Sequence, residues 1–243
     1  MPALTLRVAR AERVIGQAVQ QLSRAVPSED VAAEHADLVQ AFKQLDGDLG
    51  VLRDAVEGRR LCASSAVMAR MGEFDGLAAV RDATRALASK GGAQGYDVHF
   101  VTPPIPKEKA RRLNNGQFVR PGSRTGTGKL KIDNGGNRDA VLTLALGKRP
   151  AFSVYVRKHS KYTVSGIRDG TYRVYYTLGV DWDRSARAFS RDCAFERFDD
   201  TFKFKTTETA TQINWVEWAI TLHSVRGGTA STSEVNPNDF PAA

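Results

Sequence analysis

The chain has 243 residues, of which 42% are hydrophobic and 26% charged, enough for one large or two modest globular domains. A membrane-spanning helix needs an apolar run of about 18 residues, and the sequence has none. Its amino terminus lacks the basic start and apolar block of a secretory signal. Its two cysteines, Cys62 and Cys193, exclude a disulfide-rich scaffold and a zinc knuckle. We therefore expect a cytoplasmic protein without a cofactor, or an extracytoplasmic one if a signal or anchor is missing upstream.

The net charge of +8 is concentrated in the middle of the chain. Residues 1–100 carry 12 Lys and Arg against 13 Asp and Glu, and residues 132–243 carry 15 against 13. Residues 101–131 carry eight against one, a net charge of +7. A basic excess favours an anionic partner, and here it points to a connecting segment rather than to a folded face.

The first 90 residues predict helices. Apolar residues recur at steps of three and four over 3–25 and again over 29–59, which is typical of amphipathic helices. A third, Ala-rich helix is predicted over 65–89. Because the first two helices are joined by a very short connection, they should be antiparallel neighbours. The prediction for 1–90 is an antiparallel helical hairpin or a three-helix bundle.

The second predicted helix carries a coiled-coil seam of a little under three heptads. Its members are Leu38, Phe42, Leu45, Leu49, Leu52 and Val56. Two interpretations are open: the seam is the core of a bundle that acts as a spacer, or it serves self-association or the binding of a protein partner.

Residues 91–128 are rich in Gly, Pro and Asn and predict a linker without a core of its own. Its cations are candidates for contact with a polyanion or a nucleic acid, because they could neutralise phosphates. The candidate residues are Lys107, Lys109, Arg111, Arg112, Arg120 and Arg124. The alternative is a solvated tether.

The C-terminal part, 129–243, alternates apolar and polar residues with a period of two, which is typical of half-buried strands. Strands are predicted near 129–133, 139–147, 152–158, 161–165, 171–178, 188–197, 201–207 and 212–225. Short strands separated by Gly, Asn and Asp turns predict an antiparallel β-sandwich. The fold class is therefore α+β, with helices and strands segregated along the chain.

The run Ser165-Gly-Ile-Arg-Asp-Gly-Thr-Tyr-Arg-Val-Tyr175 resembles the corner of small prealbumin-like modules, such as carboxypeptidase-regulatory-like and Cna-B-like domains. The wider pattern, ending in Asn236-Pro-Asn-Asp-Phe-Pro241, is also similar to bacterial β-domains that follow a helical, coiled or membrane-anchored part. This resemblance covers about 110 residues of the C-terminal half. It implies an immunoglobulin- or prealbumin-like fold and an accessory, non-catalytic role.

Two acidic pairs are the candidates for chemistry: Asp181 with Asp183, and Asp199 with Asp200. Paired carboxylates serve as acid and base in glycoside cleavage or as oxygen ligands for a hard cation, and Asp181 and Asp183 are the candidate metal ligands. The alternative is that these residues cap turns and pair with nearby arginines.

Several aromatic residues are out of phase with the predicted core and suggest a binding surface for sugar, peptide or another domain. The candidates are Tyr155, Tyr175, Trp182, Trp215 and His223. Alternatively, helices or the C-terminal tail cover these residues.

Together these features predict a non-enzymatic binding, docking or adhesion module on a helical stalk that oligomerises or binds a partner. One alternative is a carbohydrate-active hydrolase that uses the Asp carboxylates. The other is association with a polyanion or nucleic acid through the basic linker.

Overall fold

The computed structural model describes residues 2–90, 100–101, 103–223 and 230–241. The chain divides into two compact units, 1–109 and 110–243. Helices occupy the first and strands the second, so the predicted α+β class is confirmed. Among the described helices, none is long and apolar enough to cross a membrane.

The first unit is a bundle of four described helices: α1 (Pro2–Arg24), α2 (Ala32–Glu57), α3 (Ser64–Met71) and α4 (Gly76–Lys90). A short 3-10 turn, Glu29–Val31, precedes α2. The core combines Leu4 and Val8 of α1 with Val80 of α4 and the predicted seam of α2. Of the seam, Leu38, Leu45, Leu49, Leu52 and Val56 are buried within the unit.

The predicted third helix is two helices, because the chain turns between Gly72 and Gly76. The backbone N–H of Gly76 donates to Asp48 Oδ2 at 3.0 Å. A Cβ on Gly76 would lie 2.4 Å from that oxygen and 2.8 Å from Leu45 Cα. The first turn of α4 therefore approaches α2 so closely that only glycine fits.

The second unit contains eleven described strands. They are β1 (Phe118–Arg120), β2 (Gly128–Asn134), β3 (Asp139–Leu146), β4 (Arg149–Val156), β5 (Ser160–Ile167), β6 (Gly170–Asp183), β7 (Ala188–Phe204), β8 (Thr206–Glu208), β9 (Ile213–Trp215), β10 (Glu217–Thr221) and β11 (Thr232–Glu234). A six-stranded antiparallel sheet has the order β1-β4-β3-β6-β7-β11, and a three-stranded sheet has the order β10-β2-β5. β8 and β9 form a hairpin.

Both larger sheets contribute to one hydrophobic core. Leu142 of β3 and Val174 of β6 belong to the same buried cluster as Ile132 of β2 and Val164 of β5. Period-two alternation places these side chains on the inner faces of their strands. The relation of this arrangement to the immunoglobulin or prealbumin fold stays a prediction.

Three details differ from the sequence-based prediction. The strands predicted at 188–197 and 201–207 are one strand, β7, and the strand predicted at 212–225 is interrupted between β9 and β10. β10 pairs with β2 in parallel, so the expectation of wholly antiparallel pairing is wrong for this pair. The second unit begins at Ala110 rather than at 129, because the backbones of 111–117 are hydrogen-bonded to strands: Gly116 N–H donates to Tyr155 O at 2.8 Å, and Trp182 N–H to Arg111 O at 2.9 Å.

Candidate functional site

The predicted metal ligands Asp181 and Asp183 are both bound by Arg111. Its Nε and Nη2 donate to the two oxygens of Asp181 at 2.7 and 2.8 Å, and its Nη1 donates to Asp183 Oδ2 at 2.9 Å. The backbone N–H of Arg111 and the hydroxyl of Ser190 also donate to Asp181, at 2.9 and 2.5 Å. Asp181 has a φ of +59°, in the left-handed region that Asp tolerates better than most residues.

The guanidinium of Arg111 supplies the counter-charge of these carboxylates, and a cation site here stays a prediction. Within the described part of the chain, no group of three or more His, Cys, Asp or Glu side chains could hold a metal ion. Burial alone would raise the pKa of Asp181, but hydrogen bonds from Arg111 and Ser190 outweigh it and lower that pKa. Hydrogen bonds from Ser185, Ala186 and Arg111 also lower the pKa of Asp183. Neither carboxyl is suited to act as a general acid, because both stay ionised near neutral pH.

Arg112 makes a second, partly buried ion pair, with Asp139. Its Nε and Nη2 donate to the two carboxylate oxygens at 2.7 and 2.6 Å. Tyr155 O–H donates to Asp139 Oδ2 at 2.5 Å, and the Lys158 backbone N–H donates to Oδ1 at 2.8 Å. Burial and the bond to Asp139 raise the pKa of Tyr155 above its ordinary value.

The six candidate polyanion contacts do not form one exposed basic run. Arg111 and Arg112 are held by the carboxylates just described. The guanidinium of Arg124 lies 3.7 Å from the centre of the Phe118 ring, and Arg120 is half-buried in β1. Lys107 and Lys109 are exposed and belong to the other unit.

The structure also separates the candidate aromatic residues. Tyr155 and Trp182 are 0% and 1% exposed, so the prediction that they face solvent is wrong. Their rings pack against each other at 6.1 Å and against Phe189 at 6.0 and 5.0 Å. Tyr175 is half-buried and stacks edge-on with Phe240 of the C-terminal tail at 5.8 Å, one of the two coverings that the sequence left open. Trp215 is 46% exposed.

The fifth candidate, His223, lines a cleft of about 590 Å³ in the second unit. The cleft lies where β10 ends the three-stranded sheet, over the inner side of β6, β7 and β11. It is lined by Gly136, Asn137, Arg138, Tyr176, Leu178, Glu196, Phe198, Ala219, Thr221, Leu222, His223, Ala230 and Thr232. The volume of this cleft is in the range of ligand-binding sites, and its lining surface is more polar than apolar.

The polar groups of the cleft are fixed by their neighbours. Tyr176 O–H donates to Glu196 Oε2, which also accepts from the Thr232 hydroxyl at 3.2 Å. Burial and the bond to Glu196 raise the pKa of Tyr176, which keeps the phenol a neutral donor. Gly135 N–H donates to His223 Nδ1 at 3.2 Å, so the imidazole accepts at Nδ1 and its neutral form carries the proton on Nε2.

The backbone of β10 adds a row of hydrogen-bonding groups to this cleft. Lys129 N–H donates to Val216 O at 3.2 Å, and Leu222 N–H donates to Asp133 O at 2.9 Å. In a parallel ladder the residues that bond to the neighbouring strand alternate. Even-numbered residues from 216 to 222 therefore face β2, and the N–H and C=O groups of Glu217, Ala219 and Thr221 face away from it.

No described strand pairs with that outer edge, because β10 is the terminal strand of its sheet. Ala219 and Thr221, whose backbone groups face away from β2, are also among the residues that line the cleft. Trp218, 37% exposed, lies beside this edge, where its indole N–H donates to Lys203 O at 3.1 Å and its ring is 5.3 Å from Phe202.

Sequence reasoning missed Tyr176, Glu196 and Arg138. Alternation with Val174 puts the ring of Tyr176 in the core but gives no sign that its hydroxyl bonds Glu196. Glu196 lies within a predicted strand as an ordinary charged residue, and only its register with Tyr176 across β6 and β7 identifies it.

Comparison of the chain with protein-family models, with curated proteins and with solved structures finds no match. The functional interpretation therefore rests on the geometry of the chain itself.

Proposed function

We propose that the second unit is a non-enzymatic docking module that binds an extended segment of a partner protein as an added strand along β10. The observation that carries the proposal is the outer edge of β10, where Ala219 and Thr221 turn their backbone groups away from β2 and line the cleft. An unpaired strand edge is a template for another strand, which would lie about 4.8 Å away. Main-chain hydrogen bonds supply affinity in this mode, and side-chain pockets supply specificity.

The cleft contributes the pockets. Its floor is the apolar surface of Leu178 and Phe198 together with the anionic Glu196, whose Oε2 is bonded by Tyr176 and Thr232. An incoming strand bonds through the N–H and C=O of both Ala219 and Thr221, up to four backbone hydrogen bonds, each worth about 0.5–1.5 kcal/mol net. The alternative of a hydrolase has less support, because Arg111 holds Asp181 and Asp183, and Asp199 accepts from the Ser233 hydroxyl at 2.5 Å.

The test replaces Ala219 by proline. Proline removes the outward N–H and is tolerated at strand edges, and the bonds of β10 to β2 remain because residue 219 does not make them. Peptides are selected with the full chain from a random dodecapeptide library, and their affinities are measured by calorimetry. Ala219→Pro should weaken the selected peptides about 10-fold, the loss of about one backbone hydrogen bond.

Ala219→Val is the matched control, since it keeps the N–H and should retain affinity. Hydrogen exchange gives a second reading without any ligand: the amides of Glu217, Ala219 and Thr221 should exchange faster than those of Trp218 and Ile220. Peptides that bind Ala219→Pro and wild type equally well would contradict the proposal, as would equal exchange along β10.

A further inference from the structure

Helix α1 of the first unit presents a basic surface that the docking proposal does not use. At 100° per residue, its exposed Arg and Gln side chains fall within one sector of about 140°. The polar members of that sector are Arg7, Arg10, Arg13, Gln17, Gln20, Gln21 and Arg24, and we name them the arginine face. The sector contains no acidic residue, and its exposed large apolar side chains are Leu6 and Val14.

The four arginines of this face have no ion-pair or hydrogen-bond partner among the described residues, in contrast to arginines elsewhere in the unit. Arg53 of α2 is bound to Glu12, the one acidic residue of α1, at 2.7 Å. Arg81 of α4 pairs with Asp82 at 2.9 Å. The positive charge of the arginine face is therefore not neutralised locally, although residues 1–100 as a whole have a net charge of −1.

The helix fixes the spacing of these charges. At about 1.5 Å per residue, Arg7 and Arg24 lie about 26 Å apart along one straight element. The apolar stripe of α1 is already used, because Leu4 and Val8 are buried in the bundle core. A lipid bilayer would need that stripe for insertion, so the surface offers its partner mainly charge and hydrogen bonds, with Leu6 and Val14 as isolated apolar side chains.

We propose that the arginine face binds the phosphate backbone of a nucleic-acid duplex. All four cations are arginines, whose planar guanidinium bonds a phosphate with two parallel N–H groups. Gln17, Gln20 and Gln21 add side-chain amides of the kind that bond phosphate and sugar oxygens. Arginines spaced along one helix can contact regularly spaced phosphates of a duplex, and such contacts do not depend on the base sequence.

The probe is a fluorescein-labelled 20-base-pair DNA duplex, titrated with the full chain and followed by anisotropy at pH 7. With four phosphate contacts, the logarithm of the affinity should fall with the logarithm of salt with a slope of about −3.6, or about 150-fold between 50 and 200 mM KCl. The double variant Arg10→Gln/Arg13→Gln should reduce the slope by about 2, leaving a decrease of about 10-fold over the same range.

The matched control is Arg81→Gln/Arg85→Gln, which removes the same charge from exposed positions of α4 and should keep the wild-type slope. Circular dichroism checks that both variants are folded. The proposal is overturned if the wild type does not bind the duplex at 50 mM salt, or if the two double variants weaken it equally. It is also overturned if α1-dependent binding is seen with phosphatidylserine vesicles but not with the duplex. None of these results bears on the cleft, which is tested by Ala219→Pro.

Discussion

Replacing Arg111 by methionine tests the interpretation of Asp181 and Asp183 as structural. The guanidinium makes three side-chain hydrogen bonds to the two carboxylates, and the Asp181 side chain is only 5% exposed. Methionine keeps much of the aliphatic stem but leaves two carboxylates next to each other without their cation. Removing one partner of a buried ion pair lowers the free energy of unfolding by about 3–5 kcal/mol. Because the Arg111 side chain is 35% exposed, water screens part of the interaction, and we expect the lower end, about 3 kcal/mol.

Tryptophan fluorescence during urea unfolding of the full chain is a suitable assay. All three tryptophans lie in the second unit, and Trp182 donates its backbone N–H to Arg111 O, so the signal reports the unit that is perturbed. With an m-value near 2 kcal/mol per molar urea, the midpoint should fall by about 1.5 M. Arg184→Met removes an exposed arginine from the adjacent turn and should change stability by less than about 0.5 kcal/mol.

The pH dependence of the stability of Arg111→Met tests the role of Arg111 more directly. In the wild type, hydrogen bonds from Arg111 and Ser190 lower the folded-state pKa of Asp181, and hydrogen bonds from Ser185, Ala186 and Arg111 lower that of Asp183. The stabilisation from both carboxylates is present above the unfolded-state pKa and is lost as pH falls through the folded one. In Arg111→Met, burial and the neighbouring carboxylate should raise the pKa of Asp181, and protonation then stabilises the folded state. The stability difference between the two proteins should therefore narrow as pH falls from 7 towards 4. A loss below about 1 kcal/mol at pH 7, or a difference that does not change with pH, would refute this account of the site.

Two further substitutions test the fold. Gly76→Ala should destabilise the first unit by about 1–3 kcal/mol, because the new Cβ would clash with Asp48 and the α2 backbone. Gly47→Ala should stabilise it by about 0.5–1 kcal/mol, because position 47 has open space and alanine favours the helix. Thermal unfolding followed by circular dichroism at 222 nm compares the two variants, and equal effects would contradict the close approach of α4 to α2. Tyr155→Phe removes the hydroxyl that bonds Asp139 and should cost the second unit about 1–3 kcal/mol in urea, and a neutral result would show that water replaces that hydroxyl.

The sequence predicted the helical unit well because its signals are local. The seam of α2 has the period of a helix, and the residues that carry it are the ones that pack against α1 and α4. The sequence did not decide whether the seam is the core of a bundle or a surface for self-association. A stripe of leucines has the same spacing whether it packs against a helix of the same chain or of another. The break between α3 and α4 was missed because it depends on the contact of Gly76 with Asp48, 28 residues earlier.

The candidate site was predicted only in part, since its geometry comes from long-range pairing. The sequence offered Asp181 and Asp183 as metal ligands or as partners of nearby arginines, whereas the arginine that binds them is Arg111, 70 residues before Asp181 and inside a predicted linker. Tyr155 was assigned to a solvent face by strand alternation, and the alternation is correct. That face is nevertheless buried, with Asp139 bonding the Tyr155 hydroxyl and Trp182 and Phe189 against the ring.

The edge of β10 shows what alternation does reveal once the topology is known. Side-chain direction and hydrogen-bond direction both alternate with a period of two along a strand. In β10 the core residue Ile220 and Trp218, whose ring packs against Phe202, are therefore also the residues that bond to β2. Ala219 and Thr221 neither pack in the core nor bond to β2. Substitutions at these positions therefore change the free edge of β10 without disturbing the core or the sheet. That separation is why proline and valine at position 219 can distinguish docking from folding.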